Sequence, residues 1–144
     1  MVISIFIKVA ININNISPAI VNIIIFDEIS KLHGRSLLFN PFFKAPPAPM
    51  TFVTYTTVAN VPNGINNFKF RLTNPNNEVI YETKLSAVEV KQNCFSNVLI
   101  WKNVHFKIMG EHNITLYLST ESGFEPAGSA VLFIEELPMK PPKA

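Results

Sequence analysis

Residues 18–43 read PAIVNIIIFDEISKLHGRSLLFNPFF, and the class of the whole chain turns on them. An apolar, largely β-branched run, Ile20–Phe26, ends in Asp27-Glu28. A polar turn follows, Ser30–Arg35, with Gly34 near its close. A second apolar run, Leu37–Phe39, carries on to Phe42-Phe43. Apolar segments of this kind around a Gly-containing turn predict a pair of strands.

The rest of the chain repeats the signal. Phe68, Phe70 and Leu72 alternate with Lys69, Arg71 and Thr73, as a half-buried antiparallel strand requires. Asn74-Pro75-Asn76-Asn77 is a turn, and Val79 and Tyr81 share one face of the strand after it, so residues 67–83 read as a hairpin. Met50–Val58 has the Thr, Val, Phe and Tyr content of a pleated surface. Val98–Trp101 is apolar on both faces, which predicts a central or covered strand. Asn113–Ser119 alternates again, and Ala130–Leu137 reads as the last strand, ended by Pro138. Residues 84–97 fit strand alternation through Ser86, Val88 and Val90, or a short helix through Leu85, Val88 and Gln92; strand followed by loop is the preferred reading. No other segment has a helical period. The expectation is an all-β chain: a single antiparallel β-sandwich, immunoglobulin-like, of about seven to nine strands.

With 144 residues the chain suits one domain. Residues 18–137 are assigned to the sandwich and 138–144 to a Pro-rich, disordered tail. Residues 1–17 are either an extra edge strand, with Ile3, Ile5 and Ile7 alternating, or an extension upstream of the domain. Charged residues make up only 15% of the chain against a typical ~25%, while hydrophobic residues reach 48%. Such a balance points either to a generous core or to an apolar surface covered by a protein partner or by another copy of the chain. Net charge is +2 with no basic run, so nucleic-acid binding is not expected. No uninterrupted span of ~20 apolar residues exists for a membrane helix. Lys8 and the asparagines 12, 14 and 15 break up the apolar start, which lacks the form of a signal peptide. Cys94, alone, cannot form an internal disulfide. A cytoplasmic location follows as the expectation.

The order of these pieces resembles the DUF6941 family, small bacterial domains of unknown function. The shared features are the strand Ile23–Phe26, the acidic step Asp27-Glu28-Ile29, the Gly34-Arg35 turn and the strand Leu37–Phe39. The Pro46–Pro49 step, the strand Met50–Val58, the hairpin around Phe70–Asn76 and the Gly110–Leu118 entry to an alternating strand complete the likeness. It spans residues 18–137. The family commonly reads IGIF where this chain has Phe39-Asn40-Pro41, and a bulge or edge is expected there because proline cannot donate to a ladder. The resemblance implies a fold and brings no catalytic residues. Independently of it, His112, two residues after Gly110, stands where many sandwiches place a corner tyrosine, and its ring nitrogens can make a comparable hydrogen bond.

Candidate chemistry is sparse. Asp27 and Glu28 are read as a polar strand-end site, but as neighbours on a strand they point to opposite faces and cannot work as a carboxylate pair. His33, His105 and His112 come with only one soft co-ligand, Cys94, and without a zinc motif. Cys94 has no basic neighbours to activate it. No Gly-x-Ser-x-Gly elbow or phosphate loop occurs. An enzyme would need His105, His112 and Cys94 (or Asp27) to converge. Pro46–Pro49 fits P-x-x-P and is read as a stiff connection. Tyr55, Tyr81, Trp101 and Tyr117 are the candidate interaction surface. The reading is a non-enzymatic interaction or assembly module without a cofactor or metal. The alternative is a small-ligand or carbohydrate-binding sandwich that uses those exposed aromatics.

Overall fold

The computed structural model describes residues 19–136, which form ten strands and no helix. The strands are β1 (Ile20–Leu32), β2 (Arg35–Pro41), β3 (Lys44–Ala45), β4 (Met50–Ala59) and β5 (Gly64–Thr73). They continue with β6 (Val79–Glu82), β7 (Ser86–Val90), β8 (Cys94–Val104), β9 (Gly110–Thr120) and β10 (Gly123–Ile134). The segments at 1–17 and 138–144 lie outside the described residues. One sheet has the order β2-β1-β4-β8; the other has the order β3-β10-β9-β5-β6, with β7 pairing the first half of β5.

The inner faces of these sheets are the alternating residues that the sequence singled out. Phe68, Phe70 and Leu72 of β5 and Ile114, Leu116 and Leu118 of β9 are buried. From the first sheet come Ile25, Phe52, Val58 and Trp101. The all-β sandwich expected from periodicity is therefore the fold. Strands β1, β4 and β8 stand in the neighbour relation A-B-E of an immunoglobulin-like sandwich, and β5, β9 and β10 in the relation C-F-G. Two departures matter. The order is not wholly antiparallel, because β3 runs parallel to β10 where the chain crosses from one sheet to the other. The strand count is ten rather than seven to nine, since β2 and β3 are added between the positions of A and B.

The opening stretch behaves differently from its reading in one respect. Asp27-Glu28 does not end the first strand; β1 runs on to Leu32. The turn is only His33-Gly34, both with positive φ (51° and 77°). That is the two-residue hairpin geometry whose twist suits the flanking strands. Pairing of β1 with β4 stops at Phe26↔Val53, and pairing with β2 begins at Phe26↔Pro41. The last six residues of β1 therefore pair with β2 alone, as a two-stranded arm about 20 Å long. Asn40 takes a positive φ of 58° just before Pro41, and β2 is an edge strand, as the proline led one to expect.

Residues 84–97 resolve into β7, a two-residue turn and the start of β8. Gln92 and Asn93 both take positive φ, and a Lys91↔Cys94 bridge closes the turn. Asn93 is held from outside, its side-chain amide donating to Val61 O at 2.9 Å. A correction concerns β8. It is an edge strand, not a central one, and Val98 and Ile100 are exposed.

Strand β10 bends at a register shift between Pro126 and Gly128. There it approaches β1 so closely that a Cβ on Gly128 would lie 2.6 Å from Val21 Cβ. The contact joins the two sheets, and only glycine leaves room for it. We expect Gly128→Ala to lower stability by about 1–3 kcal/mol through overpacking. A thermal melt of the two proteins checks this, and an unchanged midpoint would mean that the sheets separate freely at this corner.

Candidate functional surface

Register places a continuous apolar layer on the outer face of the β2-β1-β4-β8 sheet. Because side chains alternate, Ile25, Thr54 and Trp101 facing inward forces Ile24, Val53, Tyr55 and Ile100 outward. Ile24 lies beside Tyr55, and Tyr55 beside Val98. One step further along, Phe26 lies beside Val53, and Val53 beside Ile100. Two adjoining rows of three apolar side chains thus cross β1, β4 and β8. Ile24 (47%), Val98 (39%) and Ile100 (44%) are openly exposed, Phe26 and Tyr55 are half-buried, and Val53 (2%) is buried between them. A shallow depression of about 300 Å³ lies at the far end, among Ile20, Asn22, Thr57 and Cys94.

The outer face of the other sheet carries a charged cluster at its centre, with Ile65, Phe124 and Phe133 exposed around it. Lys69 and Arg71 of β5 both bind Glu82 of β6, at 3.2 and 2.7 Å. The hydrogen bond between Arg71 and Glu82 raises the pKa of the guanidinium and lowers that of the carboxyl. Arg71 also lies 4.7 Å from the centre of the Tyr117 ring, and Lys69 lies 4.9 Å from Phe124. These stems and cations cover the aromatic surface beneath them.

The four aromatic residues expected to make an interaction surface therefore part company. Trp101 is a correction: it is fully buried, and its indole N–H donates to Thr54 Oγ1 at 2.9 Å. Tyr81 covers that indole at 5.4 Å from the mouth of the core. Tyr117 is half-buried beneath Arg71, on the opposite face of the molecule from the apolar rows. Only Tyr55 is part of the rows. Its companions Ile24, Phe26, Val98 and Ile100 were missed because no single strand shows them; the pairing of three strands does.

Asp27 and Glu28 are exposed and sit within β1, at the base of the arm. They lie on opposite faces, as alternation demands, and so form no joint site. Cys94 opens β8 and is exposed, whereas His105 follows its other end, about 33 Å away at strand rise. His105 and His112 do share a pocket of about 440 Å³ with Asn74, Glu78 and Tyr81. Among the described residues no group of three or more His, Cys, Asp or Glu side chains is placed to hold a metal ion. None of the helices that could cross a membrane is present there either, as those residues contain no helix.

His112 does make the hydrogen bond anticipated from its place after Gly110. Nδ1 lies 3.1 Å from Gly110 O, so the ring carries its proton on Nδ1. Its Nε2 is buried without a partner, and the ring meets Phe106 edge-on at 5.2 Å. Gly110 takes a φ of 123° to pack on Pro75 and present that carbonyl. No family model matches the chain, and no curated protein or solved structure is significantly similar to it.

Burial pushes the His112 pKa below the ordinary 6.5, with the Gly110 carbonyl opposing in part. The unfolded ring then takes up a proton that the folded ring refuses. This stability is fully present above the unfolded value and is lost as pH falls through it toward the depressed folded value. Chemical denaturation of the wild type is expected to show falling stability from about pH 7.5 to about pH 5.5. His112→Gln should flatten that slope; a slope left intact would place the titrating group elsewhere.

Proposed function

We propose that the chain is a non-enzymatic interaction or assembly module and that its contact surface is the outer face of β1, β4 and β8. The observation that carries this is the pair of apolar rows, Ile24–Tyr55–Val98 and Phe26–Val53–Ile100, set against an opposite face whose centre is held by the ion-pair cluster of Lys69, Arg71 and Glu82. Apolar surface open at Ile24, Val98 and Ile100 and continued between them by half-buried Phe26 and Tyr55 is uncommon on a soluble monomer and marks a site of contact. The spread of Cys94, His105 and Asp27 over different ends of the fold weighs against a joint catalytic centre. The carbohydrate-binding alternative loses its platform with Trp101 buried and Tyr117 capped. Kinship with the DUF6941 domains and a place in a bacterial cytoplasm belong to the same proposal, resting on the sequence pattern and on the single Cys94.

Side-chain footprinting tests the surface. Radical labelling of Phe26, Tyr55 and Ile100 should fall several-fold between dilute purified protein and protein in extract of its source cells or at high concentration. Leu85 and Phe133, exposed elsewhere, serve as controls. Labelling of the outer face that stays constant in all these conditions would overturn the reading.

A further inference from the structure

The geometry points to a second copy of this chain as the occupant of that face, stacked on it about a two-fold axis that runs along β4; the inference rests on the outer face being the contact surface. Charge selects both the occupant and the axis. Over β1, β4 and β8 the apolar rows carry no charge, so two identical faces meet without repulsion. The charged residues next to them are Glu28 and Lys102, each two positions beyond the row Phe26–Val53–Ile100. Both are exposed, and neither makes an ion pair among the described residues. Glu28 is on β1 and Lys102 on β8, the two strands that flank β4.

A two-fold axis along β4 keeps the strand direction and exchanges left for right. It lays β1 of one copy over β8 of the other and brings each Glu28 to Lys102 of the second copy. Tyr55 then meets Tyr55, and Ile24 meets Val98 of the second copy. An axis across the strands would instead press each Glu28 onto the end that carries Ile20 and Cys94, an unpaired carboxylate against uncharged surface, which is costly. Aligned packing of two sheets face to face is the ordinary geometry of such contacts, and two-fold closure is the commonest symmetry of soluble oligomers.

Area sets the strength. From Ile20 to Glu28 across three strands the face measures about 26 by 14 Å; β2 lies outside the overlap, because the second copy's edge strand β8 sits over β1. The total over both copies, about 730 Å², lies below the range of stable specific interfaces and in that of weak, transient ones. A reversible dimer is expected rather than an obligate one, in keeping with a chain that has its own core.

The test is light scattering and sedimentation of the full chain from about 1 μM to about 1 mM, in low salt. A monomer–dimer equilibrium should appear within that range. Tyr55→Glu should weaken it at least about tenfold, as should Ile100→Lys, which serves if the first variant misfolds. Glu28→Lys alone and Lys102→Glu alone should each weaken it several-fold, and the double charge swap should restore it to within about twofold. A dimer broken by Tyr55→Glu but indifferent to the charge reversals, or not restored by the swap, would overturn this axis and leave the contact face standing. A monomer throughout would remove the second copy as occupant, with footprinting in extract still deciding the face. A dimer indifferent to Tyr55→Glu and Ile100→Lys would overturn both.

Discussion

The indole of Trp101 is the constraint from which the rest follows. It stacks on Phe52 at 5.6 Å with the rings 7° from parallel, and meets Phe70 edge-on at 6.2 Å. Phe52 and Trp101 are directly paired on β4 and β8, while Phe70 belongs to the facing sheet. One side chain therefore joins the two layers. Its N–H, which would be expensive to bury alone, is satisfied by Thr54 Oγ1 on the neighbouring strand. That bond also fixes register. A slip of one residue between β4 and β8 would turn Trp101 to solvent and break the stack together with the hydrogen bond.

The same constraint creates the outer surface. With Trp101 turned inward, Ile100 and Val98 must face out, and with Thr54 inward, Tyr55 must face out. An outward apolar residue on one strand is ordinary, but here three strands in one register place theirs side by side. On the other sheet the same alternation turns Lys69 and Arg71 outward, and Glu82 of the paired strand lies where it can bind both. The two outer faces thus differ because of what the sequence places at outward positions, not because of the backbone, which is similar in both layers.

Much of this was legible in the chain itself. Strands β5 and β9 were plain from Phe68-Phe70-Leu72 and Ile114-Leu116-Leu118, because alternation over a polar partner face gives a single answer. The corner role of His112 was readable from its spacing after Gly110. The surface was not readable, for a physical reason. In Val98–Trp101 both faces are apolar, so alternation alone does not say which way Trp101 points. Only pairing with Phe52 and Thr54, more than forty residues earlier, decides that. The continuation of β1 past Asp27-Glu28 was missed because charged residues resemble a strand end. The His33-Gly34 turn, with both residues at positive φ, lets the strand run on to Leu32.

In a chain with an exposed apolar face the sheet edges matter, because an open edge is a template for pairing with another chain. On the second sheet the far side of β5 is covered by β6 and β7, of four and five residues. Strand β3 pairs only Phe133-Ile134 of β10 and leaves Gly123–Leu132 as an edge, interrupted by Pro126 and the register shift beside it. On the first sheet β2 ends in Asn40-Pro41, where the positive φ and the missing N–H interrupt any ladder. The other long edge is β8. Its register against β4 shifts between Phe52 and Met50, beside Lys102 and the positive-φ Asn103. A bulge and a lysine are common devices by which edge strands refuse a new partner. Edge-to-edge growth, which has no natural end, is thereby hindered at each side of the sandwich. Face-to-face contact, which closes after two copies, is left open. The prolines and bulges at the edges thus leave the proposed face-to-face contact as the route by which surplus hydrophobicity would be buried in a finite assembly.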